Sequence, residues 1–552
     1  MEKQTLEKKA ATKNGVSRMI FVGLSILTEA AIIIALFTVL NGYAKWINLF
    51  TRGLAIILVL LIYGQNKTSS MKMPWIMLIM AIPVFGVVLY LLIGLNGSTW
   101  KMKERYKRID EILLPFLNQN KECMEKLEKQ EPKAAAISKY LWKNAGYPVY
   151  QNTQVEYFSE AVEGLESQLE ALAKAELFIF MEYHAIEDKE AWGRIQKVLV
   201  ERAQAGVEVR VFYDDLGSIG FINTDFVKKM KNLGIRCRVF NPVMPGLNIF
   251  LNNRDHRKIT VIDGKVGYTG GYNLANEYFN ITHPYGRWKD TGIKVTGQAV
   301  RSMTVTFLEM WNAVKKNDLD DVEFARYLST QETTAIQKAT AIREEITTQK
   351  ETASSEKTAT QKKSEIQIQE SGFVQPYADS PMDDIHVGED VYISMINKAD
   401  KYCYFITPYL IITDEMSHAM CLAAKRGVDV RIITPGIPDK KIVYSVTRSF
   451  YHVLVRDGVR IFEWTPGFCH AKMCVVDDVM ATCGTINLDY RSLYHHFENG
   501  CFLYDCQAVL DMKKDFDETF VQSCEVTEQY RSGRSAVMRV GQLILRLFAE
   551  LL

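Results

Sequence analysis

His256-Arg-Lys258-Ile-Thr-Val-Ile-Asp263 has the form H-x-K-x4-D, and His470-Ala-Lys472-Met-Cys-Val-Val-Asp477 has the same form. Each copy is followed at equal distances by a glycine and an asparagine, which are Gly270 and Asn273 in the first copy and Gly484 and Asn487 in the second. With nine histidines in 552 residues, two chance matches with identical downstream spacing are improbable. The motif therefore marks a unit that occurs twice.

The segments around the two motifs repeat the same order of strand and helix patterns. Short apolar or alternating runs predict strands at 177–182, 207–212 and 235–240, and again at 402–407, 428–433 and 459–462. Helical stretches lie between these runs, and Gly206 and Gly427 are predicted to end equivalent helices. Alternating strands and helices indicate an α/β fold, and the recurrence indicates two copies of one unit packed together.

The motif residues suit chemistry at a phosphodiester. On a strand, a histidine and a lysine two positions apart emerge on the same face. Two copies brought face to face would give one pocket two imidazoles, two ammonium groups and two amides, which suit charged phosphate oxygens. One imidazole could attack phosphorus while the other protonates the leaving alkoxide and activates the second acceptor. The residues alone do not say which histidine attacks, and they predict no metal and no cofactor.

The first hundred residues are strongly apolar and predict a membrane anchor. Residues 19–40 and 74–95 are long enough to span a bilayer, despite Glu29 and Pro83. Residues 54–63 are apolar but short, so a third span stays open. Lysines and arginines flank both ends of this region, which favours two crossings with both flanks in the cytoplasm.

The remaining chain divides into four predicted segments. These are a first α/β unit at 101–329, a polar linker or insert at 330–369, a second unit at 370–536 and an amphipathic helix at 537–552. The formal net charge of +1 argues against overall attraction to nucleic acid. Ten cysteines without a CxxC pair indicate reduced thiols rather than a disulfide scaffold or a zinc site.

The paired motifs are those of the phospholipase D superfamily, and nearly the whole chain resembles bacterial cardiolipin synthases. The phrases that carry this resemblance include Pro83-Val-Phe-Gly86, Met181-Glu-Tyr183, Asn253-Arg-Asp-His-Arg-Lys258, Gly270-Gly-Tyr-Asn273, Thr407-Pro-Tyr409, Gly467-Phe-Cys-His-Ala-Lys472 and Asn487-Leu-Asp-Tyr-Arg-Ser492. The resemblance implies two tandem α/β/α sandwich units that form one pseudo-two-fold catalytic domain. It also implies that two phosphatidylglycerol molecules give cardiolipin and glycerol through a phosphohistidine.

The resemblance implies a role for each site residue. His256 is expected to be the nucleophile and His470 the acid and base, with the phosphate held by Lys258, Lys472, Asn273 and Asn487. Asp263 and Asp477 complete the catalytic motifs but look structural in this family. Asp290 and Glu498, some thirty residues downstream of the motif histidines, are expected to orient the imidazoles. Two departures are the long polar insert and the pair His495-His496 beside the second motif.

The acceptor stays open, because it does not enter the first half-reaction. Water would make the protein a phospholipase D, and another alcohol or phosphatidylethanolamine would make it a different phosphatidyltransferase. A non-catalytic membrane scaffold is disfavoured by the intact residues in both copies. The expected partners are a phospholipid substrate and the bilayer of a bacterial cell membrane, with no nucleic acid and with the oligomeric state open.

Overall fold

The computed structural model describes residues 44–65, 68–91, 97–243, 253–328 and 372–531, apart from positions 224, 316, 318, 320 and 322, together with scattered positions from 20 to 35 and residues 545–546. The predicted span at 19–40, the insert at 330–369 and the helix at 537–552 therefore lie outside the described residues, except for those isolated positions.

Three N-terminal helices pack on one another. They are α1 (Ala44–Tyr63), α2 (Ser69–Ala81) and α3 (Pro83–Leu89). Leu58 and Ile62 of α1 share a small apolar core with Ile79 and Val87. The apolar run at 74–95 is divided between α2 and α3, because Ile82 has a non-helical backbone and Pro83 starts the next helix. Across the described part of the chain, none of the helices is both long enough and apolar enough to cross a bilayer.

Three further helices lead into the first unit. They are α4 (Gly97–Leu113), α5 (Lys121–Gln130) and α6 (Pro132–Ala145). Tyr106 of α4 donates to a carboxylate oxygen of Glu309 and accepts a hydrogen bond from Arg257, the residue between the first motif's histidine and lysine. The segment that follows the N-terminal helices is thus in direct contact with the first motif.

The first unit contains a sheet with helices against it. In chain order its elements are β1 (Thr153–Phe158), α7 (Ala161–Ala173), β2 (Phe178–Tyr183), α8 (Glu190–Gln204), β3 (Glu208–Asp214), α9 (Asp215–Ser218), α10 (Phe226–Asn232), β4 (Arg236–Phe240), β5 (Arg254–Asp255), β6 (Lys258–Ile262), β7 (Val266–Gly270), β8 (Arg287–Lys289), β9 (Gly292–Gly297), α11 (Val300–Ala313) and α12 (Ala325–Leu328). The strand order in the sheet is β1-β9-β7-β6-β2-β3-β4.

The second unit repeats this design. Its elements are β10 (Phe373–Asp379), α13 (Val387–Lys398), β11 (Tyr402–Ile406), β12 (Leu410–Ile411), α14 (Asp414–Lys425), β13 (Asp429–Pro435), α15 (Lys441–Arg456), β14 (Arg460–Trp464), β15 (Gly467–Cys469), β16 (Met473–Val476), β17 (Met480–Gly484), β18 (Leu488–Asp489), α16 (Tyr490–Tyr494), β19 (His496–Tyr504), α17 (Gln507–Val521), β20 (Ser523–Glu525) and α18 (Thr527–Arg531). The strand order is β10-β19-β17-β16-β11-β13-β14-β20.

The two sheets match strand for strand over seven positions. In each sheet the strand inside the motif (β6 or β16) pairs antiparallel with the next strand of its hairpin and with β2 or β11. β2 then pairs in parallel with β3 and β3 with β4, as β11 does with β13 and β13 with β14. Gly206 and Gly427 have φ of 91° and 96° just after α8 and α14, where a left-handed residue ends a helix. The prediction of an α/β fold built from two similar units is confirmed.

Candidate functional site

Short strands that cross between the units hold the two motif histidines. β5, just before His256, pairs in parallel with the start of β19, and the His256 amide donates to the carbonyl of Phe497 at 2.9 Å. β15, just before His470, pairs with β8, and the His470 amide donates to the carbonyl of Lys289 at 2.7 Å. Each histidine therefore lies at a strand junction, rather than within the motif strand as predicted, and is anchored by the other unit.

This crossing also determines which carboxylate meets which histidine. Nδ1 of His256 lies 2.9 and 3.0 Å from the two carboxylate oxygens of Glu498, and Nδ1 of His470 lies 2.7 Å from Asp290. Both carboxylates are fully buried. A carboxylate on Nδ1 fixes the tautomer and leaves Nε2 for a substrate. The structure thus pairs each histidine with a carboxylate of the opposite unit, which sequence order did not reveal.

The two motif lysines lie directly behind the histidines. Nζ of Lys258 donates to the carbonyl of His256 at 2.6 Å, and Nζ of Lys472 donates to the carbonyl of His470 and lies 2.7 Å from its Nδ1. Burial lowers the pKa of Lys258 to about 8 and that of Lys472 to about 7.

The same burial keeps the imidazoles uncharged in the free protein. Burial, followed by the charge of Lys472, lowers the pKa of His470 to about 3, and burial with Lys258 holds the pKa of His256 well below its ordinary value. A neutral imidazole has a free lone pair, which a nucleophile or a base requires. The site is therefore poised for nucleophilic or basic chemistry before a substrate arrives.

The two motif asparagines line the same pocket as the histidines. Asn273 accepts from the amide of Ala185 at 3.1 Å and donates to the hydroxyl of Tyr278 at 2.8 Å. Oδ1 of Asn487 is buried and has no hydrogen-bond partner among the described residues. The pocket has a volume of about 450 Å³ and brings together the asparagines and histidines of both units.

The two motif aspartates, Asp263 and Asp477, are not among the residues that line this pocket. The carboxylate of Asp263 accepts the backbone amides of residues 176, 177 and 178 at 2.7 to 2.9 Å, at the start of β2. Asp477 accepts those of residues 400, 401 and 402 at 2.7 to 2.9 Å, at the start of β11. Both have positive φ. They join the motif strand to its neighbour, as their family role implied.

The pocket is asymmetric around the two histidines. The ring of His470 lies 5.3 Å from the rings of Tyr278 and Trp288. His256 instead has His184 at 5.0 Å and His496 at 5.4 Å. His496 and Trp288 occupy equivalent positions, since each precedes its unit's buried carboxylate by two residues. In the sequence His496 stands out only as a departure from the family pattern, and no motif marks His184.

One group of residues has the composition of a metal site. His256, His496 and Glu498 offer ligand atoms within 4.8 Å of one another. Arg491 donates to Nε2 of His496 at 3.3 Å, and the ammonium of Lys258 lies behind His256. These neighbouring positive charges oppose a bound cation, so the group fits a metal ion poorly. The crossed histidines, paired lysines and paired amides instead define a two-unit enzyme of phospholipase D type.

Comparison with known proteins narrows this class. The model described as cardiolipin synthase, PLD-like domain, matches residues 169–311 and 392–520, and the phospholipase D-nuclease N-terminal model matches residues 53–94. A cardiolipin synthase of Oceanobacillus iheyensis is 31% identical over 89% of this chain and 96% of its own length. The chain belongs to the cardiolipin synthase family.

Two other proteins are similar to this chain. An uncharacterized protein of Streptococcus mutans is 38% identical over 89% of this chain and 98% of its own length. The phosphatidylserine synthase of Haemophilus influenzae matches with a TM-score of 0.53 and 17% identity, over 76% of this chain and 97% of its own. At that identity, the second similarity supports the fold alone.

Proposed function

We propose that the protein joins two phosphatidylglycerol molecules to give cardiolipin and free glycerol. The observation that carries this proposal is the pair of histidines in one pocket, each backed by a buried carboxylate of the other unit. Two equivalent imidazoles on opposite sides of one phosphorus suit a double displacement, in which one group is held covalently between two transfers. The family relationship supports the choice of phosphatidylglycerol.

In the first transfer, Nε2 of His256 attacks the phosphorus of the donor lipid. A nitrogen–phosphorus bond forms, the bond from phosphorus to the headgroup glycerol breaks, and His470 gives its proton to the departing oxygen. The negative phosphodiester offsets the charges of Lys258 and Lys472, so its arrival raises the pKa of both imidazoles and lets His470 carry this proton. Asn273 and Asn487 provide amide donors for the phosphate oxygens.

In the second transfer, the headgroup hydroxyl of another phosphatidylglycerol replaces the departed glycerol. His470, now neutral, takes the hydroxyl proton while the oxygen attacks phosphorus. The nitrogen–phosphorus bond breaks, and His256 is restored. The carboxylates of Glu498 and Asp290 accept the hydrogen bonds of Nδ1 and stabilise the positive charge that each imidazole acquires.

The pocket lining supports a lipid as the donor. Leu216, Phe221, Ile411 and Val443 line it beside the polar groups. Apolar side chains next to the phosphate position suit the glycerol backbone and the first carbons of the acyl chains. A water-soluble phosphodiester would gain little from these contacts.

We further propose that the protein acts at a bacterial cell membrane, as a multi-pass protein whose catalytic units face the cytoplasm. The apolar N-terminal hundred residues and the basic residues on both flanks support this placement. The same proposal places the first catalytic unit at 101–329, the linker at 330–369 and the second unit at 370–536.

The test uses purified full-length protein in vesicles of labelled phosphatidylglycerol, with EDTA present. Cardiolipin and glycerol are expected in equal amounts, and His256→Ala is expected to form neither. Phosphatidic acid in place of cardiolipin would overturn the proposal in favour of hydrolysis. A reaction that survives His256→Ala would overturn the assigned site.

A further inference from the structure

One end of the catalytic pocket carries two arginines that the described residues leave partly unsatisfied. Nε and Nη2 of Arg254 donate to the carboxylate of Asp214 at 2.8 and 2.7 Å. Nη1 of Arg254 is buried and has no hydrogen-bond partner among the described residues. Arg491 is partly buried, and its Nε donates to His496 at 3.3 Å. Arg491 lines the pocket, and in the described part of the chain it forms no ion pair, although Asp489 is close by.

Such groups point to an anionic ligand. Buried charges in proteins are normally paired, and an unpaired guanidinium N–H in a pocket loses its hydration without compensation. A guanidinium has a planar set of donors that matches the oxygens of a phosphate. Arg254 lines the pocket and is held rigidly by Asp214, so its guanidinium loses no side-chain freedom when a ligand binds.

The first unit carries the opposite charge at the position equivalent to Arg491. Glu277 and Arg491 occupy equivalent positions, because each follows its motif asparagine by four residues. Glu277 lines the pocket near Tyr278, and Asp439 lies in the same lining. The duplicated unit therefore has a carboxylate at this position in one copy and a guanidinium in the other. Lys440 and Asp489 line the pocket as well, but Arg254 and Arg491 are the lining residues whose planar sets of donors match a phosphate.

We propose that Arg254 and Arg491 form a subsite for the phosphodiester of the acceptor lipid. This inference rests on the proposed function, in which the acceptor is a second phosphatidylglycerol. In this acceptor lipid, one three-carbon glycerol separates the attacking hydroxyl from the lipid's own phosphate. A single pocket of about 450 Å³ therefore holds both the phosphate that reacts and the phosphate of the acceptor. The subsite selects an anionic phosphodiester as acceptor over water or a simple alcohol.

The test compares two acceptors on the same full-length protein. One is phosphatidylglycerol itself, measured as cardiolipin formed. The other is labelled glycerol, which exchanges into phosphatidylglycerol through the same phosphohistidine but has no phosphate of its own. Arg491→Gln is expected to lower the ratio of cardiolipin formation to glycerol exchange at least tenfold. Arg491→Lys, which keeps the charge, is expected to recover part of that ratio.

Lys441→Gln is the matched control. It removes a positive charge from an exposed position next to the pocket residue Lys440 but outside the pocket lining, so the ratio is expected to stay within twofold of wild type. An unchanged ratio in Arg491→Gln would refute the subsite. If both reactions fell equally, Arg491 would only position His496. Wild-type protein that exchanges glycerol but makes no cardiolipin would refute the proposed function instead.

Discussion

Replacing Glu498 by glutamine tests the crossed pairing of histidines and carboxylates. The change keeps the shape of the side chain but removes the charge from a group that lies 2.9 Å from Nδ1 of His256 and is fully buried. A hydrogen bond to a charged group contributes about 1.5–3 kcal/mol. If that stabilisation is lost while His256 becomes cationic in the transition state, the attack slows roughly ten- to 150-fold.

The assay separates the two half-reactions with a phosphatidyl ester of p-nitrophenol. This leaving group departs without a proton, so the burst of p-nitrophenol reports attack by His256 alone. Glu498→Gln is expected to slow the burst by the factor above. Asp290→Asn, which affects His470, is expected to change the burst less than about threefold while slowing steady-state turnover by ten- to 150-fold on the same reasoning.

The opposite pattern would refute the reasoning. If Asp290→Asn slowed the burst and Glu498→Gln did not, each carboxylate would serve the histidine of its own unit, or His470 would be the nucleophile. Repeating the burst with His470→Ala separates these two outcomes, since only a nucleophilic histidine is needed for it.

Three further predictions concern stability and pH. Asp263→Asn keeps a residue that tolerates positive φ but weakens three backbone hydrogen bonds, so the free energy of unfolding measured in urea should fall by about 1–3 kcal/mol. A lower transfer rate per folded molecule without this loss of stability would contradict the structural role of Asp263. Because Lys472 has a pKa of about 7 and is needed as a cation, kcat/KM should fall as pH rises through 7, and Lys472→Arg should move that fall to higher pH. Burial raises the pKa of Glu309 to about 7, so the folded state binds this proton more tightly than the unfolded state, and stability should fall as pH rises from about 4.5 to 7. Glu309→Gln should flatten the dependence of the thermal midpoint on pH, and an unaltered dependence would contradict the prediction.

The repeated unit could be predicted because its pattern is local. The fully buried strand β2 reads as a largely apolar run that ends in Glu182-Tyr183, and the glycine after each equivalent helix marks its end. The motif histidines, lysines and asparagines were recognisable for the same reason, since each lies at a fixed distance from the others.

Contacts between the units could not be predicted from spacing. The partner of His256 is Glu498, 242 residues away, and it is brought there by the pairing of β5 with β19. The opposite charges at the equivalent positions Glu277 and Arg491 acquire meaning only once both line one pocket. The break between α2 and α3 likewise depends on the backbone at Ile82, although Pro83 was visible in the sequence.

The most direct test of the central claim is to locate the covalent intermediate. Full-length protein would be mixed with the p-nitrophenyl ester, quenched in alkali to preserve phosphohistidine and mapped by mass spectrometry, with His256→Ala and His470→Ala in parallel. The account predicts a phosphatidyl group on His256 in the wild type and in His470→Ala, and none in His256→Ala. A phosphatidyl group on His470, or turnover without any modified histidine, would contradict it.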